Sequence, residues 1–201
     1  MNISLTDFID YVSKAGTSKF TLVNQIFNRD DYNPAFDFWK AMREGIVDLH
    51  KNSKDKAELD KILNELADKK KINRYSTIIS SYKSFLGRKK TFWFDPPSKD
   101  WQFNDLKIKL NPEIGLEIND KSYAIKLYFK EDNISQAKVD LILLLMNSQF
   151  KNNELKTVTF AILDIERKKL YDRSKLGNEH ISLLEGEALS FINIWNSLQK
   201  R

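Results

Sequence analysis

Between Leu106 and Lys130 the chain reads LKIKLNPEIGLEINDKSYAIKLYFK, which sets Glu113, Glu117 and Lys126 on strand-like runs around one tight turn. Carboxylates that converge can hold a hard divalent cation, because such ions take oxygen ligands. A lysine beside them can stabilise charge that develops on a phosphoryl oxygen. Asp164, in a later apolar run, and Glu131 are further acids of the same kind. The same residue types have a plainer use. On a solvated sheet face, alternating Glu and Lys pair across strands for roughly a few tenths of a kcal/mol each and do no chemistry.

A second group is electrostatic. Lys69, Lys70, Lys71 and Arg74, then Lys83, Arg88, Lys89 and Lys90, bracket a helical pattern that carries Tyr75 and Tyr82. Residues 54–90 hold eleven Lys or Arg against five Asp or Glu, a surplus of six, so the formal net charge of +5 belongs to this one segment. Such lysines can neutralise phosphates, and exposed tyrosines can stack on bases. Against this, Tyr75, Ile79, Tyr82 and Phe85 or Leu86 form one apolar stripe, which places the tyrosines in a core and leaves the lysines as a solubilising face.

Other chemistries find no residues. With no cysteine there is neither a disulfide nor a thiolate metal site or nucleophile. Of the two histidines, His50 sits near a helix end, as a partner for the helix dipole when protonated, and His180 lies in a polar loop. Neither has a serine or carboxylate at a triad spacing, and Gly87 and Gly115 stand alone rather than in a phosphate-binding loop.

These side chains must be positioned by a fold that 201 residues, 41% of them hydrophobic and including 13 Phe, 7 Tyr and 4 Trp, can build around one sizeable core. The first half reads as helices: Leu5 to Val12, Lys19 to Asn28, a longer one opened by Asn33-Pro34 and running to about Leu49, Asp55 to Leu66, and Ile72 to Leu86 with Gly87 as a left-handed stop. At Thr91 the character changes. FWFDPPSKDW joins four aromatics and a Pro-Pro pair, which suits a connector or edge strand. From Leu106 the apolar period becomes two, with Pro112 kinking the first run and Asn119-Asp120 supplying a hairpin turn. A helix from Ser135 to Phe150 follows, apolar nearly all round at Leu141 to Met146, then a buried strand from Thr157 to Ile165, a turn into Leu170-Tyr171, and a last helix from Glu185 to Leu198. The expected fold is therefore α+β, a basic helical lobe over residues 1–90 followed by a mixed, mainly antiparallel sheet flanked by helices over 91–201, the two packed as one unit.

Helix, three strands, helix, strand is also the element order of the restriction-endonuclease-like superfamily, which residues 72–170 resemble. The resemblance implies a carboxylate on the second strand and a Glu-X-Lys on the third, holding Mg²⁺ beside the scissile phosphate. Glu113 or Glu117 matches the first acid and Lys126 the lysine. The partner glutamate is missing, because Ala124-Ile125-Lys126 stands in its place and Tyr128-Phe129-Lys130 also lacks an acid. Asp164 or Glu131 would have to substitute, with Glu117 and Asp164 the ligands of an active site.

The reading that follows is a nucleic-acid-binding protein of a bacterium or phage, engaging DNA or RNA through residues 69–90 on a nuclease-like core with Glu113, Glu117, Lys126 and Asp164 at a degenerate site. An active Mg²⁺-dependent nuclease is the first alternative. The second is a protein interaction module that uses Phe92, Trp93, Phe94 and Trp101. The longest apolar run falls far short of the roughly 20 residues that span a bilayer, and no basic leader opens the chain, so a cytoplasmic location is expected.

Overall fold

In a computed structural model of the chain, residues 1–30, 37–150 and 158–200 are described. The period-two runs form strands, and Pro112 does more than kink them. Leu106–Leu110 (β4) and Ile114–Ile118 (β5), on either side of it, join different sheets. The smaller sheet has the order β1-β4-β3, where β1 is Asn2–Ser4 and β3 is Lys99–Phe103; β1 runs parallel to β4 and β3 antiparallel to it. The larger has the order β2-β5-β6-β7-β8, with β2 at Thr91–Phe94, β6 at Lys121–Tyr128, β7 at Val158–Asp164 and β8 at Lys169–Tyr171. Only β6 and β7 are parallel in it. Asn119 and Asp120 turn β5 into β6 with positive φ at both residues, as a two-residue hairpin requires.

Helices cover the larger sheet on both faces. Leu5–Val12 (α1) starts where β1 ends, because Ser4 is extended and its hydroxyl accepts the Asp7 N–H at 3.0 Å. Thr17–Phe27 (α2), Lys40–Lys51 (α3), a 3₁₀ turn at Lys56–Asp60, Lys61–Asn64 (α4) and Lys69–Leu86 (α5) follow. Gln136–Gln149 (α6) and Ile181–Gln199 (α7) complete the set. The start of the helix expected from Asn33-Pro34 lies outside the described residues, as does Thr157. Gly87 ends α5 with φ 52°, the expected left-handed stop. The helix expected over residues 55–66 is instead a 3₁₀ turn and a single α-turn. Its apolar period is present, but Leu59 is the only side chain of the two pieces that is buried.

Side-chain alternation along β6 divides the interior in two. Tyr123, Ile125, Leu127 and Phe129 face Met42 and Ile46 of α3 and Tyr75, Ile78, Ile79 and Tyr82 of α5. Ala124, with Phe160 and Ile162 of β7, faces α1, α2, α6, α7 and the smaller sheet. Residues 1–90 therefore do not pack as one helical lobe: α1 and α2 belong to one face of the sheet, α3 to α5 to the other. Gly115 is required where β2 pairs with β5, since a Cβ there would stand 2.3 Å from the Phe94 carbonyl oxygen.

Candidate functional site

Glu113 and Lys126 form a cross-strand pair at the end of the β5–β6 hairpin. The register pairs Ile114 with Ile125, so the next residues outward face each other, and the Glu113 N–H donates to the Ile125 carbonyl at 3.0 Å. The Lys126 ammonium forms an ion pair with Oε1 of Glu113, while Oε2 accepts the Leu127 N–H at 2.8 Å. Both oxygens are thus engaged, and the side chains are only 13% and 18% exposed. The pair lines an open groove of about 740 Å³ between the start of α1, the residues before α3 and the ends of β4 to β6. Arg43, Lys109 and Lys130 add positive charge to it, Asp37 adds negative charge, and Trp39 supplies an aromatic wall stacked on Phe129 at 5.0 Å. Arg43 and Asp37 form an ion pair at 2.5 Å.

Lys126, Tyr128 and Asp164 share one sheet face, because Lys126 lies opposite Ile162 and Tyr128 opposite Asp164. Asp164 is fully buried; it accepts the Arg167 N–H at 3.1 Å and lies 3.5 Å from the Arg167 guanidinium. The Tyr128 hydroxyl donates to Asp132 at 3.2 Å. Burial first, then Asp132, Asp164 and Asp10, hold the phenol well above its usual pKa, so it stays protonated. Asp10 of α1 accepts from Lys130 at 3.2 Å and Lys138 at 2.6 Å. Burial opposes its ionisation, but the hydrogen bonds and charges of the two lysines prevail and its pKa lies below the usual value.

Glu117 is elsewhere. It stands opposite Ser122, six residues along β6 from the partner of Asp164, a separation of roughly 20 Å at the rise of a strand. Glu117 and Asp164, expected as joint metal ligands, cannot share one ion. Glu131 is drawn to Arg74, its carboxylate 3.0 Å from the guanidinium. Among the described residues no three Asp, Glu, His or Cys side chains stand close enough to hold a metal. Glu113, Glu117, Glu131 and Asp164 therefore do not converge on one site for Mg²⁺.

The basic segment is not one patch. Lys69 and Lys70 are exposed at the start of α5, while Arg88, Lys89 and Lys90 are exposed beyond its end, some 27 Å away for 18 helical residues. Between them the charges are engaged. Arg74 holds Glu166 and Glu131, each at 3.0 Å, and the Glu166 hydrogen bond leads in raising its pKa further. Lys83 pairs with Asp60 at 2.6 Å, and Lys71 lies over the Phe38 and Tyr75 rings. Tyr75 and Tyr82 have no exposed surface, so neither can stack on a base. In the aromatic connector Trp101 is also buried, against Phe8, while Phe92 is 63% exposed on the edge strand β2.

His50 differs from a protonated dipole partner. It is buried, with Nε2 2.6 Å from the Tyr82 hydroxyl and Nδ1 3.4 Å from Thr91 Oγ1, and burial lowers its pKa to about 4. His180 lies 3.2 Å from Glu179 at the surface of its loop. Spacing along the chain could not reveal Asp10, Arg43 or Lys109 as neighbours of Lys126 and Lys130, since Asp10 and Lys130 are 120 residues apart. Among the described residues no helix is long and apolar enough to cross a membrane. Comparison with protein-family models, curated proteins and solved structures finds no match.

Proposed function

We propose that this is an intracellular protein that binds nucleic acid along the Glu113–Lys126 groove, on a nuclease-like core that does not cut. The observation that carries the reading is the groove itself. An acid–lysine pair sits at the paired ends of two central strands, with Lys109 and Lys130 exposed on its rim and Trp39 on its wall. Counting only the strands of the larger sheet, α5, β2, β5, β6, α6 and β7 give helix, three strands, helix, strand, with β3 and β4 of the smaller sheet inserted between β2 and β5, an order compatible with the resemblance seen in the sequence. Two details favour binding over cleavage. Ala124 occupies the place of the family's glutamate, and Glu113 already accepts from Lys126 and from the Leu127 N–H, so neither of its oxygens is left open to an ion. The binding surface moves accordingly from residues 69–90, whose central charges are paired, to this groove.

The test is binding of labelled single- and double-stranded DNA and RNA across a salt series with Mg²⁺ present, the same samples being run on a denaturing gel. Affinity should fall steeply with salt, and the Lys109→Glu/Lys130→Glu variant should bind weakly, with a log–log salt slope smaller by about 2. Equal binding by parent and variant would remove the groove from the reading. Cleavage would overturn the noncatalytic assignment. A protein-partner reading retains one observation, the exposure of Phe92 on an edge strand.

A further inference from the structure

On the α5 face of the larger sheet, a second groove of about 550 Å³ runs between the C-terminal half of α5, the β5–β6 hairpin and the turn after β7. Its floor is apolar, made by Phe85, Ile118, Tyr123 and Leu170. Three lysines line it, Lys89, Lys121 and Lys168, together with Asn119, and among the described residues no carboxylate does. Lys89 lies over the Phe85 ring, 4.6 Å from its centroid, and its ammonium donates to the Phe85 carbonyl, so its charge is held at the wall. Arg88 and Lys90, exposed at the same end of α5, extend the positive field around it.

The backbone supplies an independent sign. Lys168 has φ 57° and closes the β7–β8 turn, its N–H donating to the Ile165 carbonyl at 3.1 Å. That left-handed position suits glycine or asparagine, and a lysine there is strained. Strained residues that persist against an easy alternative gather at binding and catalytic sites. A lysine in this position lines the groove beside two other lysines, a charge that the turn itself does not require.

We infer that this groove binds a phosphate-bearing ligand, the lysines neutralising the phosphates and the Phe85–Tyr123 floor receiving an apolar or aromatic portion. A nucleoside polyphosphate and the 5′-phosphorylated end of a nucleic acid share that chemistry. The inference does not depend on the Glu113–Lys126 groove, with which this one shares no lining residue.

The full chain would be titrated calorimetrically at low salt with ATP and, separately, with a short oligonucleotide in 5′-phosphate and 5′-hydroxyl forms. Binding of ATP identifies a free nucleotide as the source, and preference for the 5′-phosphate identifies a strand end. Lys121→Ala and Lys168→Gly should each lower ATP affinity, or the ratio of 5′-phosphate to 5′-hydroxyl affinity, about tenfold, while Lys109→Glu/Lys130→Glu leaves the ATP affinity and that ratio unchanged even where it weakens the oligonucleotide's overall binding. Lys168→Gly should also raise the melting temperature by roughly 2 to 4 °C, which separates lost charge from lost fold. The inference falls if neither probe binds, if the oligonucleotide binds alike in both forms while ATP does not, or if Lys121→Ala and Lys168→Gly bind as well as the parent.

Discussion

The two faces of the five-stranded sheet treat polar residues in opposite ways. Toward α3 and α5, the polar groups that enter the interior are neutral and satisfy one another: His50 with Tyr82, and the Tyr75 hydroxyl with the Phe38 carbonyl at 2.6 Å. Toward α1, α6 and α7, ionisable groups enter, each held by a donor: Asp164 by Arg167, Asp140 by Gln136 at 2.9 Å and the Lys175 N–H at 3.0 Å, Glu113 by Lys126. A neutral pair seals an interior because it has no charge to desolvate, whereas a charged pair is tolerable only near an opening or with several donors. The groove with mixed charge lies where the second face reaches solvent.

The contrast can be broken most severely with acid. His50 has a folded pKa of about 4 against 6.5 for the free side chain, so between those values the unfolded chain takes up a proton that the native chain refuses. Stability contributed by the neutral imidazole is complete above pH 6.5 and is lost as pH falls toward 4, by about 3 kcal/mol. Urea melts at steps from pH 7 to 4.5 should show this loss, and His50→Gln should flatten it. A smaller effect is expected on the charged face. Lys126→Ala strands a mostly covered Glu113 carboxylate and should cost about 1–3 kcal/mol, while Glu113→Gln/Lys126→Met should recover much of that in a double-mutant cycle. If the double variant is no better than the single, the pair is not the source of the cost. The smallest effect belongs to the exposed start of α5, where Lys69→Ala and Lys70→Ala should each change stability by less than about 0.5 kcal/mol in the same melts.

How much of this was legible in the sequence depended on the range of the cause. The period-two runs at 106–128, the Asn119-Asp120 turn, the Gly87 stop and the all-round apolar helix α6 are local patterns, and each appears where its residues place it. The burial of Tyr75 and Tyr82 was readable from their apolar stripe, although the same residues also allowed a base-stacking surface. Three features were not legible. Asn2–Ser4 is too short for a period and is a strand only because β4 hydrogen-bonds to it. The separation of Glu117 from Asp164 follows from strand register, which no alternation specifies between distant runs. The Asp10–Lys130–Lys138 cluster joins three elements whose apposition depends on how the helices divide between the two faces.

That division also bears on the order of events as the chain is made. The Tyr11 hydroxyl donates to Ser190 at 2.9 Å across 179 residues, and Lys19 pairs with Glu187 across 168. The face containing α1 and α2 therefore cannot close until the residues of α7 have been synthesised, whereas α3, α5 and the β5–β6 hairpin can assemble from a continuous middle stretch. The apolar stripes of α1 and α2 wait for their last partner throughout synthesis, and contacts of such long sequence separation form slowly. Helices α1 and α2, made before all the others described, are among the last to be buried.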